Sequence, residues 1–209
     1  MLVVMAARTK RSSLRREPKQ RRARQTADAV LDAAVRVLKR EGYGALTTNR
    51  IAEVAGVSIG SLYQYFPDKS AIFEALHQRH INEIDRMVES TLVENAASSL
   101  DVLIRAMVEA MVDAHSADPE LHDLLMTEVP HRAGGTQEFA VRLRGVFLLA
   151  ISSRAPRLKK RGDLDKAVFV VTHMVEALSH GAALRRPPSL SLADAKAETV
   201  RAVLAYLHA

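Results

Sequence analysis

Apolar residues in this chain recur at intervals of three and four, and that spacing constrains the fold more than any other feature. The first such series begins near the N-terminus and consists of Ala23, Ala27, Val30, Leu31, Ala34, Val35 and Leu38. Residues at this spacing lie along one face of an amphipathic helix. The period of two that is typical of strands is scarce, and only 4% of the residues are aromatic. Similar series continue to the C-terminus, so we predict an all-α protein.

Composition narrows the class of protein further. The chain has 209 residues, 48% of them hydrophobic, which is enough for one large domain or two small ones with buried cores. It has no cysteine, and this excludes disulfide scaffolds, thiolate metal sites and cysteine nucleophiles.

Membrane and export signals are also weak. Uninterrupted apolar runs reach about seven residues, well short of the roughly 20 that span a bilayer. The apolar opening, residues 1–7, precedes the first basic residues, whereas a secretory signal has the opposite order. We therefore expect a cytoplasmic protein with no membrane partner.

The positive charge is concentrated at the N-terminus. The net charge is +6, yet residues 1–24 contain nine basic residues and one acidic residue, which leaves the remainder slightly negative. This composition predicts that residues 1–22 form a basic, disordered arm. Such an arm is attracted to the phosphate backbone of nucleic acid, or it is a solvated tail that maintains solubility.

A short segment, residues 46–69, carries signals for two helices separated by a turn. Thr47 or Thr48 can cap a first helix that runs through Ala55. Gly56 then supplies the turn, because a positive φ costs glycine little.

The second short helix follows directly. Ser58 can cap it, and it ends near Tyr65 because Pro67 disfavours helix in the residue before it. Two short helices around a glycine turn predict a helix-turn-helix unit.

The two faces of this unit differ in chemistry. The residues predicted to pack inward are apolar or small: Ile51, Ala52, Ala55, Val57 and Leu62. The predicted outward residues of the second helix are short or able to hydrogen-bond, and none is negative: Ser58, Ile59, Gly60, Ser61, Tyr63, Gln64 and Tyr65. Such a surface suits a DNA major groove, which is about 12 Å wide.

Three ordered runs carry a family resemblance. They are Leu46-Thr47-Thr48, Ile51-Ala52-Glu53-Val54-Ala55-Gly56-Val57 and Leu62-Tyr63-Gln64-Tyr65-Phe66-Pro67-Asp68-Lys69. Residues 24–76 thereby resemble the tetracycline-repressor (TetR) family of bacterial transcription regulators. The rest of the chain is similar to that family in length and in its helical pattern.

The resemblance implies an architecture and a function. It implies a three-helix helix-turn-helix DNA-binding domain at residues 23–76 and a larger helical ligand-binding and dimerisation domain at residues 77–209. It also implies a homodimeric repressor that a small-molecule effector releases from a palindromic operator, with no cofactor.

The resemblance also implies residue roles. Thr48, Tyr63, Tyr65 and Lys69 would bind phosphates, while Ser58, Ile59, Gly60, Ser61 and Gln64 would lie against base edges. Thr47 and Asn49 complete the predicted DNA-contacting set. Gln64 is the side chain in this set that can bond adenine in a bidentate manner. Alternatively, Tyr63 and Tyr65 are half-buried rings with outward hydroxyls, Phe66 is a core residue and Lys69 is simply solvated.

Two apolar stripes near the C-terminus predict a dimer interface. Their candidate residues are Leu164, Val168, Val171, Val175, Leu178, Val200 and Leu204. Such stripes pack helices at shallow angles, as in four-helix bundles, and two helices from each protomer would make one. The alternative is that both stripes face their own core.

Methionines and histidines mark the candidate effector pocket. Its predicted residues are Met107, Met111, His115, Met126 and Met174, because methionine suits pockets of irregular shape, although it fills ordinary cores as well. His115 and His122 flank a helix break, while His173, Glu176 and His180 could share one helix face. Without a convincing third ligand we predict surface or interface histidines and no metal.

Two other functions remain open. An all-helical metal-assisted enzyme could use His115, His122 or His173 with Glu176, but the sequence has no Gly-rich phosphate loop, nucleophile elbow or HExxH motif, so we predict no enzyme. A basic architectural protein would bind any duplex equally.

Overall fold

In the computed structural model of the protein, residues 21–128, 135–155 and 163–209 are described. Their regular elements are helical, which confirms the all-α prediction. The helices are α1 Arg21–Glu41, α2 Thr48–Ala55, α3 Ile59–Tyr65, α4 Lys69–Glu94, α5 Leu100–Ser116, α6 Pro119–Glu128, α7 Gly135–Arg154, α8 Leu164–Leu184 and α9 Leu192–His208. Residues 1–20 of the predicted arm lie outside this description.

The chain forms two compact units. Residues 21–79 cluster with 124–128 in the first unit, and residues 80–123, 135–155 and 163–209 form the second.

Local capping explains the helix boundaries of the first unit. The Thr47 side chain accepts a hydrogen bond from the Arg50 amide at the start of α2, as one of the two predicted capping threonines should. Gly56 ends α2 in the left-handed conformation, with φ 67° and ψ 31°. Its neighbour Val57 donates its amide to the Ala52 carbonyl at 3.1 Å, the bond that closes a Schellman motif.

The core of the first unit lies between α1 and the two short helices. Ile51 and Leu62 are fully buried, as predicted, and Phe66 is a core residue at 0% exposure. Ala55 and Val57 are only half-buried, because they lie at the turn between α2 and α3. Each large buried side chain contributes about 1.5–3 kcal/mol relative to its exposed state.

One element of this unit was not predicted. A 3-10 turn, Tyr43–Ala45, follows Gly42, whose φ is 79° and ψ is 176°. Gly42 therefore ends α1 with a positive φ but an extended ψ, and the chain turns into α2 from there.

In the second unit α8 is the central helix. It packs against α5, α7 and α9, and α9 also packs against α5. The residues of α8 buried in this core are Ala167, Val168, Val171, Thr172, Val175, Ser179 and Ala182.

This packing corrects most of the predicted dimer interface. Val168, Val171, Val175 and Val200 are at most 2% exposed, so they belong to the core of their own protomer. The spacing identified a buried stripe correctly, but α5, α7 and α9 already cover it. Of the other predicted positions, Leu178 is 39% exposed, while Leu164 and Leu204 are half-buried.

A second face of α8 is also apolar. Val170, Met174, Ala177 and Gly181 follow the 4-3-4 spacing on the side away from the buried stripe, and all four are half-buried or exposed. The α8 helix is therefore apolar on two faces, and its remaining side includes the polar residues Lys166, His173 and Glu176.

The two apolar faces of α8 raise the question of whether this helix could span a membrane. Among the described helices, α8 is long and apolar enough to cross a membrane by length and composition. A core helix passes the same test, and 39% of the tested window is buried inside this protein. A single helix of this kind is weak evidence for a membrane span.

Gly56→Ala is expected to lower the free energy of unfolding by about 1–2 kcal/mol, because an L side chain in the left-handed region is strained. No atom lies within 4 Å of the position that the new Cβ would occupy, so strain and not a clash is the cause. Urea unfolding followed by circular dichroism measures the change. Gly44→Ala is the control: Gly44 has the same open space and no positive φ, and an equal loss there would contradict the explanation.

Candidate nucleic-acid interface

The α3 helix has one buried side and one free side. Leu62 anchors it in the core at 0% exposure, whereas Ile59 and Tyr63 are each 38% exposed. Gly60 and Gln64 are exposed too, and α3 has no charged residue. The helix therefore presents a neutral, partly apolar surface that can approach base edges.

Two hydroxyls at the start of α3 are engaged with each other. The Ser58 Oγ accepts the Ser61 amide at 3.1 Å and lies 2.8 Å from the Ser61 Oγ. Ser58 is thus the N-cap of α3, and Ser61 is half-buried. A hydroxyl has one donor and two acceptor positions, so each retains capacity for a further bond.

Thr48 and Tyr63 bring two predicted phosphate-binding hydroxyls together. The Thr48 Oγ1 and the Tyr63 hydroxyl are 3.1 Å apart, which links α2 to α3. Thr48 is the first residue of α2, where backbone amides have no helical partner and anions are favoured. The pair can therefore offer a phosphate two hydroxyls beside a helix N-terminus.

Lys69 is held by a residue that the sequence analysis missed. Its Nζ lies 3.8 Å from the centroid of the Tyr43 ring and 3.5 Å from the Tyr43 carbonyl oxygen. Tyr43 in turn meets Phe73 edge-on, with 5.3 Å between ring centroids. These contacts fix the ammonium group at the start of α4, where Asp68 accepts the Ala71 amide at 2.8 Å.

Arg50 is a second missed residue, and it braces α2 against the end of α1. Its guanidinium donates to both carboxylate oxygens of Glu41, with the shortest contact at 2.7 Å, and lies 2.8 Å from Glu53. The hydrogen bond from Arg50 lowers the pKa of Glu41, and the same bond raises the pKa of Arg50. Both groups are charged at neutral pH, so the brace is ionic.

The remaining predicted contacts lie around this surface. Asn49 is exposed in the first turn of α2, and Tyr65 is half-buried at the end of α3. Thr47 is exposed but already serves as the α2 cap. The roles of all these residues toward DNA stay predictions.

The predicted effector residues fall into two groups. Met107, Met111 and His115 lie four residues apart on α5, and all three are buried. Met174 is half-buried, off the buried stripe of α8, and the side chain of Met126 lies outside the described residues.

The histidines correct the sequence interpretation. His115 and His122 are 2% and 1% exposed, so the surface interpretation is wrong for them, and they lie together with His180. His173 is exposed, its Nδ1 lies within hydrogen-bond distance of the Phe169 carbonyl oxygen, and it is not one of the three residues brought together. Packing of α8 onto α5 brings His180 to this site, a third residue that sequence spacing could not show.

A buried three-helix core that leaves one neutral helix face free, beside a hydroxyl pair and a lysine, is the arrangement of a helix-turn-helix DNA-binding protein. Comparison with known families agrees. Residues 30–76 match the family described as "Bacterial regulatory proteins, tetR family", and residues 99–207 match "Tetracyclin repressor-like, C-terminal domain". The chain belongs to the TetR family of bacterial regulatory proteins.

Individual relatives are more distant. The chain is 38% identical over 68 residues to the HTH-type transcriptional regulator YvkB of Bacillus subtilis, which is 32% of this chain and 36% of YvkB. It is 26% identical over 167 residues to the nucleoid occlusion factor SlmA of Pasteurella multocida, covering 76% of this chain and 81% of SlmA. The chain thus spans about a third of the length of the first of these relatives.

A solved structure shows the same fold. The fatty acid degradation regulator FadR from Bacillus halodurans has a TM-score of 0.66 and 18% identity, over 90% of this chain and 97% of FadR.

Tyr63→Phe is expected to weaken binding to every duplex by about tenfold or more, because a hydrogen bond to a charged group is worth about 1.5–3 kcal/mol. Fluorescence anisotropy with labelled duplexes of different sequence measures the loss. Tyr206→Phe on α9 is the matched control, since Tyr206 is equally exposed, at 37%. Unchanged affinity in Tyr63→Phe would remove this hydroxyl from the phosphate-binding set.

Proposed function

We propose that the protein is a homodimeric repressor that binds a palindromic DNA operator and is released from it by an effector bound in the second unit. The observation that carries this proposal is the free, uncharged outer face of α3, held by the buried Leu62. The proposed boundary between the DNA-binding domain and the effector domain follows residue 76, and the proposed place of action is the cytoplasm.

In DNA recognition, contacts to phosphates would position the protein on the duplex and contacts to base edges would read its sequence. Thr48, Tyr63 and Lys69 would bind phosphates and set the register, as would Tyr65 at the end of α3. Gln64 would read a base edge directly, while Ile59 and Gly60 allow close apolar contact. Because α3 carries no charge, part of the specificity would come from DNA shape.

The dimer would use the second apolar face of α8. Val170, Met174 and Ala177 form its outward stripe, and Leu178 beside them is 39% exposed. A Cβ built on Gly181 meets no atom within 4 Å, so a partner helix can approach closely there. Ala197 and Leu204 would extend the face onto α9.

Dimerisation explains how short helices reach adequate specificity. One α3 reads only a few base pairs, whereas two related by a twofold axis read an inverted repeat. The two helices are then about 34–36 Å apart, or a multiple of that distance.

Release would follow from linkage. An effector that binds better to a state with misplaced α3 helices shifts the population away from the DNA-binding state. The coupling is reciprocal, so operator DNA weakens effector binding by the same factor.

Selection of duplexes from a random library with the purified full chain tests the function. A twofold-symmetric site bound about 10³-fold or more above random duplex at physiological salt is the expected result. Equal affinity for all duplexes would favour the architectural alternative and contradict the proposal.

Gln64→Ala is expected to change which base is preferred at one position of each half-site, with a loss of about 1–3 kcal/mol on the preferred sequence. Repeating the selection with the variant measures the change. A uniform loss of affinity across all sequences would place Gln64 among the positioning residues instead.

Leu178→Asp is expected to weaken the dimer by about 30-fold or more, because a buried interface anchor contributes about 2 kcal/mol. Sedimentation over a concentration series measures the dissociation constant. Val93→Asp on α4 is the matched control, since Val93 is an aliphatic residue at 70% exposure outside the proposed face. Equal effects of the two substitutions would argue against this interface.

A further inference from the structure

Four histidines of the second unit, each from a different helix, form a common cluster. His80 comes from α4, His115 from α5, His122 from α6 and His180 from α8. The His80 Nε2 lies 2.6 Å from the His122 Nδ1, and the His122 Nε2 lies 3.5 Å from the His180 Nδ1. The His115 ring centroid is 4.3 Å from the centroids of both His122 and His180.

One nitrogen of this cluster lacks a partner. His115 is 2% exposed, and its Nδ1 makes no hydrogen bond within the part of the chain that the structure describes. Buried polar atoms are nearly always paired, so an orphaned ring nitrogen within a cluster of imidazoles calls for an explanation. A ligand atom supplied from outside the chain would provide the missing partner.

Three histidines of the cluster, His80, His115 and His180, are neutral at physiological pH. Burial lowers the pKa of His115 to about 3, and burial likewise lowers the pKa values of His80 and His180. A neutral imidazole offers a lone pair, which is the form that binds metal ions. The carboxylates of Asp118 and Glu176 act on His80 and His180 respectively, so negative charge is available nearby to offset a cation.

We propose that His115, His122 and His180 bind a divalent late first-row transition-metal ion, with His80 as the hydrogen-bond partner of His122, and that this ion is the effector of the regulator. The three candidate ligand atoms all lie within 4.8 Å of one another. A nitrogen-only donor set suits Zn²⁺, Ni²⁺ or Cu²⁺, whereas Mg²⁺ and Ca²⁺ require oxygen ligands.

The distances fit a tetrahedral ion after a small contraction. With Zn–N bonds of about 2.0–2.1 Å, two ligand nitrogens of a tetrahedral site are about 3.3–3.4 Å apart. The separation of 3.5 Å between the His122 Nε2 and the His180 Nδ1 is close to this value. The other separations are at most 4.8 Å, and those longer than about 3.4 Å would shorten as an ion drew α5, α6 and α8 together.

His80 has a distinct role in this arrangement. When the Nε2 of His122 binds the ion, the Nδ1 of His122 carries the proton and donates a hydrogen bond to the Nε2 of His80. Metal-bound histidines commonly donate their second nitrogen in this way, which fixes the ring orientation. His80 is therefore a positioning residue and not a ligand.

The effector role rests on the proposed function. A ligand that favours a contracted state shifts the population toward that state. His80 lies on α4, the helix that begins with Lys69 of the predicted phosphate-binding set. Movement of the cluster on metal binding would thus act on a helix that also carries a predicted phosphate-binding residue.

Calorimetric titration of the full chain with Zn²⁺, without DNA, tests the site. Binding with one ion per protomer is expected, and Mg²⁺ should give no signal. Loss of a hydrogen-bond partner of a metal ligand lowers metal affinity by roughly 10- to 100-fold. The Zn²⁺ affinity of His80→Ala should fall by a factor in that range, and the Zn²⁺ affinity of His180→Ala should fall by more. His173→Ala, an exposed histidine on the same helix, is the matched control and should bind Zn²⁺ like the parent protein.

A second measurement uses the unaltered protein, so it does not depend on whether the histidine variants fold. Co²⁺ added to the unaltered protein should give visible absorption bands of a nitrogen-coordinated ion, which excess Zn²⁺ removes. No Zn²⁺ binding and no Co²⁺ bands would overturn the site, as would equal loss in His173→Ala and His180→Ala.

Binding measurements with operator DNA test whether the metal ion acts as the effector. Zn²⁺ is expected to lower operator affinity at least fivefold, with the operator lowering Zn²⁺ affinity by the same factor, since typical coupling is about 5- to 150-fold. Zn²⁺ binding with unchanged operator affinity would overturn the effector role. Operator binding measured without metal reports on the proposed DNA-binding function separately, so the two failures are distinguishable.

Discussion

The burial of Leu62 and Phe66 in the core of the first unit is the constraint on which the proposed DNA-reading surface depends. A seven-residue helix such as α3 is too short to be stable alone, so its orientation comes from packing. Leu62 fixes which side of α3 faces the core, and the opposite side is thereby left to solvent. The ionic brace from Arg50 to Glu41 and the Thr48–Tyr63 hydroxyl pair then set α2 and α3 relative to α1.

Features fixed by local chemistry could be predicted from the sequence. The caps Thr47 and Ser58 and the left-handed Gly56 each act within a few residues, and each lies where the sequence indicated. Contacts between distant residues could not be predicted in the same way. The contact between the Lys69 ammonium group and the Tyr43 ring depends on an unpredicted 3-10 turn. The contact between His80 and His122 links residues that are 42 positions apart in the sequence.

The α8 helix shows why periodicity identifies a buried face but not what buries it. Val168, Val171 and Val175 repeat at the spacing of a packed stripe, and they are packed, though by α5, α7 and α9 of the same chain. The series that starts at Val170 was not predicted, because small residues such as Ala177 and Gly181 weaken its apolar signal. In α3, by contrast, Leu62 stands among short or hydrogen-bonding residues, which is why the buried side of this helix was simpler to predict.

The uncovered face of α8 has a consequence for how the protein persists in a cell. A protomer with that face in water is less stable than one in the proposed pair, and mass action links the two. Resistance to heat and proteolysis would then rise with the number of copies present. A regulator made at low abundance would be cleared faster than one made in excess, which gives the cell a degree of control over its lifetime that is independent of any bound ligand.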